Sequence, residues 1–197
     1  PSEAPYGDFD FLRATEATRI NSSGEIETVA NNIPRINYEN GCGSWLFEPQ
    51  KTNLLSYSNA FLFPAWLKQN GGVASAPIVT SNYSISPDGT QNADRVIFDI
   101  NGGTTSSDFS QIARVVTSSV GDVTNSVWIK SNTASNYNMT YINAFGGTTS
   151  IVVTNQWQRF DVTSTTVVTS SQFKLRLRPT ESTSDSADVS LWGAQVE

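Results

Sequence analysis

Gln172-Phe173-Lys174-Leu175-Arg176-Leu177-Arg178 alternates without a break, apolar at odd positions and polar at even ones. Successive side chains of an extended chain point to opposite faces. Phe173, Leu175 and Leu177 therefore share one face, and Lys174, Arg176 and Arg178 the other. The stretch from Val123 to Lys130 behaves alike: Val123, Val127 and Ile129 oppose Thr124, Ser126, Trp128 and Lys130. Antiparallel sheets with one buried and one open face produce this alternation. Parallel α/β sheets do not, and the linkers between the periodic segments are too short for crossover helices.

Outward from these two stretches, strand signals recur at the cadence of a β-sandwich. They cover residues 93–98, 109–116, 122–130, 137–144, 149–153, 157–163, 172–178 and 188–196. Asn101-Gly102-Gly103 and Gly146-Gly147 punctuate them as turns. Upstream, Thr18 to Asn21 and Glu25 to Val29 flank Ser22-Ser23-Gly24, a small hairpin with Gly24 supplying the positive φ of its turn. Arg35 to Tyr38 is a second short extended piece, Asn40 to Gly43 a turn, and Ser44 to Glu48 a strand that Pro49 stops. Residues 50–65 read as irregular, with Asn59 to Trp66 a candidate for one helical turn. The expected organisation is an N-terminal arm with a short hairpin over 1–43 and a β-sandwich over 44–197.

Composition excludes several function classes. The 197 residues suffice for one large β-domain with ample core. Only 15% are charged, and the net charge is −6, so clustered cations for a nucleic-acid backbone are missing and an anionic membrane offers little. No apolar run approaches the ~20 residues of a membrane-spanning helix. The chain contains no histidine, which removes the commonest general base and metal ligand and rules out a Ser-His-Asp triad within it. Its single cysteine, Cys42, forbids an internal disulfide and a multi-cysteine zinc site.

Several motifs, in order, resemble one domain type. Asp8 to Arg19 gives an aromatic-rich opening before Ala17-Thr18-Arg19, followed by Ser22-Ser23-Gly24 and Ile33-Pro34-Arg35-Ile36. Leu46-Phe47-Glu48-Pro49-Gln50, Thr52-Asn53-Leu54, Trp66 and Ser86-Pro87-Asp88-Gly89-Thr90 come next. Ser126 to Lys130, Trp157-x-Arg159 and Leu191-Trp192-Gly193-Ala194-Gln195 complete the set. This resembles a domain common in tailed-phage virion proteins, itself similar to jelly-roll carbohydrate-binding modules. The resemblance implies an all-β, jelly-roll-type antiparallel sandwich.

Candidate site residues follow from the face assignment. Trp128 shares its face with Thr124, Ser126 and Lys130, and an aromatic on a polar open face looks like a ligand platform; the alternative is burial beneath a loop. Asn138, Thr140, Lys174 and Arg176 are the expected polar partners on neighbouring strands, with Tyr137, Met139 and Tyr141 facing the core. Trp66 is a further candidate, as an aromatic exposed at an edge. Trp45, Trp157 and Trp192 read as core packing or a domain seam. The aspartates are scattered, and no pair is spaced for glycoside hydrolysis. No cofactor is expected. Jelly-roll modules often carry a structural Ca²⁺, but no calcium loop of recognisable spacing is present.

The resemblance implies a non-enzymatic phage virion structural protein (capsid decoration, head fibre or tail fibre) on the virion surface, assembled in the host cytoplasm. Its expected partners are other virion proteins, further copies of itself in a trimer, and cell-surface glycan. The competing classes are a binding module of a secreted polysaccharide-degrading enzyme and a purely architectural subunit.

Overall fold

The computed structural model describes residues 11–39, 41–47, 52–117, 120–142, 148–166 and 169–197. They contain strands and turns and no helix. The chain forms two compact units, Pro1–Gln50 and Lys51–Glu197. Cys42–Trp45 is a strand of the first unit, paired with Ile36–Glu39.

The first unit has two ribbons. β1 (Ala17–Ile20) pairs with β2 (Ile26–Val29), and β3 (Ile36–Glu39) pairs with β4 (Cys42–Trp45). Gly24 takes φ 84° in the first turn, as the Ser-Ser-Gly sequence demands. Side-chain bonds join the ribbons: Ile20 N–H donates to Asn37 Oδ1 at 2.8 Å, and Arg35 to Thr18 O at 3.1 Å.

The second unit is a sandwich of ten strands. They are β5 (Leu67–Gly71), β6 (Ser75–Ser84), β7 (Ala93–Asp99), β8 (Phe109–Thr117), β9 (Gly121–Ser131), β10 (Tyr137–Ile142), β11 (Thr148–Val153), β12 (Gln158–Thr166), β13 (Ser170–Leu177) and β14 (Ser186–Val196). One sheet has the order β11-β10-β13-β8-β5, the other β12-β9-β14-β7-β6. Taken alone, β7 to β14 give the first, eighth, third and sixth strands in one sheet and the second, seventh, fourth and fifth in the other. That is the jelly-roll connectivity. β5 and β6 extend the sheets at their edges. Edge position explains why they lack a strand signal. β5 is Leu-Lys-Gln-Asn-Gly, with no apolar alternation, and β6 contains Pro77, which only an edge tolerates.

The core is built by the inward residues that alternation assigns. Phe173, Leu175 and Leu177 are fully buried, as are Val127 and Ile129 from the facing sheet. Tyr137, Met139 and Tyr141 join them, as read from sequence. The segment before β5 contributes Phe61 and Trp66. It descends through successive turns, with bonds from Ala60 N–H to Tyr57 O, Phe63 to Ala60 and Trp66 to Phe63.

Asp108 locks the loop before β8. Its carboxylate accepts the N–H groups of Val73, Thr104 and Thr105 and the Thr105 hydroxyl. Gly72 (φ 58°) leaves the space: a Cβ there would lie 2.0 Å from Asp108 Oδ1. These bonds, Val73's first, hold the Asp108 carboxyl at about 2. Against an unfolded value of about 3.9, the folded state favours the ionised form. The stability it contributes is complete above the unfolded value and is lost as pH falls through the folded one. Asp108→Asn is expected to be less stable at neutral pH and to lose less further stability between about pH 4 and 2 than the wild type. Thermal melts across that range check this; parallel curves would refute it.

Candidate functional site

Strand parity places Thr124, Ser126, Trp128 and Lys130 of β9 on the outer face of the β12-β9-β14-β7-β6 sheet. In register, Trp128 lies between Arg159 of β12 and Trp192 of β14. Its indole is half-buried. Beyond Trp192 the ladder shifts at a bulge, and the Gly193 N–H turns to Asn59 Oδ1 at 2.8 Å. Arg159 donates to Ser126 Oγ at 3.0 Å and sits 3.8 Å from Asp161. Lys130 lies 5.1 Å from the ring centroid of Trp157, and partial burial lowers its pKa. The Trp157 indole N–H donates to Ile85 O at 3.1 Å. Trp157 precedes one edge strand and Ile85 follows the other, so the segment after β6 runs across this face.

That segment closes one half of the face. Ser190, an outward residue of β14, is fully buried, bonded to Ser84 at 2.9 Å and to Asn132 at 2.7 Å. Arg95 pairs with Asp188, which also accepts from Asn132, and Tyr83 stacks 4.8 Å from the Arg95 guanidinium. Burial alone would raise the Asp188 carboxyl, but the Arg95 and Asn132 bonds outweigh it and lower it. The open half is Trp128, Lys130, Trp157 and Arg159. Trp157 and Trp192 are half-buried, and Trp45 in the first unit is 53% exposed, so none of the three is a core residue.

Five expected site residues lie elsewhere. Asn138 and Thr140 are on β10 and Lys174 and Arg176 on β13, all in the other sheet, so none neighbours Trp128. In a jelly roll the step from β9 to β10 passes between sheets and is no hairpin within one. Arg176 is also engaged by Glu181, at 2.6 Å and 3.1 Å. Trp66 is 1% exposed. It packs 4.7 Å from Phe61 and 5.5 Å from Phe173, with its N–H on Tyr57 O at 3.0 Å. Sequence reasoning missed Arg159, whose Trp-x-Arg context offered a signal only once β12 was known to flank β9.

The scattered aspartates serve turns and joints. Asp94 accepts from Phe61 and Asn82 N–H groups, and burial raises its carboxyl. Asp99 accepts from Asn101 and Asp185 from Gly102. Among the described residues no group of three or more His, Cys, Asp or Glu side chains is placed to hold a metal ion.

No family model matches the chain, and no curated protein matches it. Among solved structures, a family 61 carbohydrate-binding module in complex with β-1,4-galactotriose is similar at 12% identity and TM-score 0.49, over 75% of this chain and 99% of that one. A family 11 module from Clostridium thermocellum, in complex with a β-1,3-1,4-mixed-linked tetrasaccharide, is similar at 14% identity and TM-score 0.44, over 73% and 94%. The enzymatically active domain of tailspike protein 4 of bacteriophage CBA120 is similar at 9% identity and TM-score 0.47. There the match spans 73% of this chain but 21% of that one. These likenesses go no further than the sandwich.

Trp66→Ala is expected to cost about 3–5 kcal/mol, the range for truncating a buried aromatic. Denaturant unfolding checks it. A cost under about 1 kcal/mol, the scale of a surface change, would return Trp66 to the surface candidates.

Proposed function

We propose that this protein is a non-enzymatic structural protein of a tailed-phage virion, displayed on the capsid or tail, whose sandwich binds glycan. The observation that carries the binding half is Trp128, a half-buried indole on an outer sheet face with Arg159 across from it and Lys130 next along its strand. An indole face offers the C–H side of a pyranose ring an apolar platform, while the two cations donate to its hydroxyls. The virion half rests on the ordered sequence landmarks from Asp8 to Gln195. The non-enzymatic reading draws support from a chain without histidine. A module of a secreted polysaccharide-degrading enzyme would use the same face; a catalytic domain in the same gene would distinguish it.

Trp128→Ala is expected to weaken binding to a neutral polysaccharide panel by at least about tenfold, on the scale of one lost stacking contact. Its stability cost should stay below the roughly 3–5 kcal/mol of a buried aromatic. Affinity electrophoresis alongside denaturant unfolding reads both. Unfolding without a separable binding defect would leave Trp128 a packing residue.

We further propose that copies of the chain associate, as a trimer, and dock onto other virion proteins. The first unit supports this. Its described strands pair as two-stranded ribbons, which are marginal alone. Among its described apolar residues Val29 is the buried one, while Leu12, Ile33, Trp45 and Phe47 are more than half exposed. Sedimentation velocity is expected to give a trimer, and a shift to monomer in Trp45→Ser/Phe47→Ser. A monodisperse wild-type monomer at high concentration would count against association.

A further inference from the structure

The two sheets differ in charge. The strands of β12-β9-β14-β7-β6 carry Asp94, Asp99, Asp122, Asp161 and Asp188 against Arg95, Lys130 and Arg159. Those of β11-β10-β13-β8-β5 carry no Asp or Glu; Lys68 and Arg114 are in register with the inward Ile112 and Phe173, which leaves Lys174 and Arg176 outward, with Arg178 following β13. This occurs in a chain with 18 acidic and 12 basic residues. The acid excess lies mostly elsewhere: residues 1–50 hold three Lys and Arg against eight Asp and Glu.

Parity turns this composition into a surface. Phe173, Leu175 and Leu177 are fully buried, so Lys174, Arg176 and Arg178 rise from the outer face. At about 3.3 Å per residue they form a strip some 13 Å long. Glu181 answers part of the charge. It binds Arg176, Arg178 at 3.1 Å and the Thr140 hydroxyl at 2.5 Å. Three cations against one carboxylate leave an excess of positive charge on β13. Lys174 has no carboxylate partner among the described residues. Burial first, then Arg176 and Arg178, lower its pKa. Arg178 packs 5.8 Å from the Phe109 ring, and its Nε is buried without a partner. Beside the strip stand neutral amides: Gln111 is in register with Arg176 and donates to Gln69 at 2.7 Å.

We infer that the outer face of the β11-β10-β13-β8-β5 sheet is a second binding surface, whose ligand is an acidic polysaccharide lying along β13. Lys174 meets its anionic groups beside the net-positive cluster of Arg176, Arg178 and Glu181, and Gln69, held by the buried Gln111, meets its hydroxyls. Charge complementarity selects this occupant, since every carboxylate of the sheet's own strands is missing. The inference rests on the glycan-binding reading but uses a face that does not include Trp128.

The test measures retention of the intact protein on immobilised polygalacturonate (carboxylate), dextran sulfate (sulfate) and neutral dextran. The wild type is expected to bind at least one polyanion in about 0.1 M salt and to be released by about 1 M, where screening shortens to a few ångströms. Lys174→Gln/Arg178→Gln should lower that affinity about tenfold or more, whereas Lys174→Arg, which keeps the charge, should bind as the wild type does. Trp128→Ala should leave polyanion binding unchanged. The carboxylate and sulfate arms tell which anion is preferred. Failure of the wild type to bind either polyanion, an undiminished double variant, or equal binding to neutral dextran overturns the inference. So does self-association that the double variant abolishes, which would make the strip a contact between copies. If neutral-glycan binding remains Trp128-dependent while the polyanion arms fail, this inference falls alone; if both fail, the parent reading falls with it.

Discussion

Each five-stranded sheet buries one face against the other, and this fixes the direction of every other side chain in the sandwich. A one-residue slip in β13 would exchange Phe173, Leu175 and Leu177 for Lys174 and Arg176 in the core. Register is therefore strongly determined, and with it the composition of both outer faces. The aromatic cluster of Phe61, Trp66, Tyr141 and Phe173 strengthens the constraint. Two of its members come from different strands of one sheet, β10 and β13, and two from the turns that lead into β5. The irregular segment is thereby anchored in the core through Phe61 and Trp66.

Parity was legible in the sequence, and it located all eight jelly-roll strands from β7 to β14. It also read Trp128 as outward and Tyr137, Met139 and Tyr141 as inward. Sheet membership was not legible. Alternation tells inside from outside within a strand and carries nothing about which of two sheets that strand joins. Asn138 and Arg176 were outward as expected, but outward from the opposite sheet. Trp66 failed for a different reason. It lies in a run of turns with no period, and its burial is decided by Phe61 and Phe173, the latter over a hundred positions away.

The sequence landmarks turn out to be joints. Asn53 accepts from Val196 N–H at 3.0 Å and donates to Ala194 O at 3.1 Å, across the bulge at Gly193-Ala194. The Asn-Leu-Leu and Trp-Gly-Ala-Gln motifs thus meet in space. Asp88 accepts from Ser86, Thr90 and Asn92 and rigidifies the Ser-Pro-Asp-Gly-Thr loop. Ile85, just before it, is the carbonyl that Trp157 holds. Such motifs report the fold because they close it. Two other landmarks, Ser126 to Lys130 and Trp157-x-Arg159, supply the open face itself, with Trp192 beside Trp128.

The same architecture can keep two chemistries apart. Packed sheets stand about 10 Å from each other, and their outward side chains lie farther apart still. That separation exceeds the screening length of roughly 8 Å at physiological salt, although the low-dielectric core between them weakens the screening. The Trp128 face is balanced in charge, with Arg95 against Asp188 and Arg159 near Asp161. Its distinguishing asset is aromatic surface. The β13 face has Phe109 as its aromatic and an excess of cations. Changing either face alters a row of outward side chains without touching the inward rows that hold the sandwich together. A jelly roll can therefore vary the two surfaces independently, and in this chain they differ in stacking area and in charge.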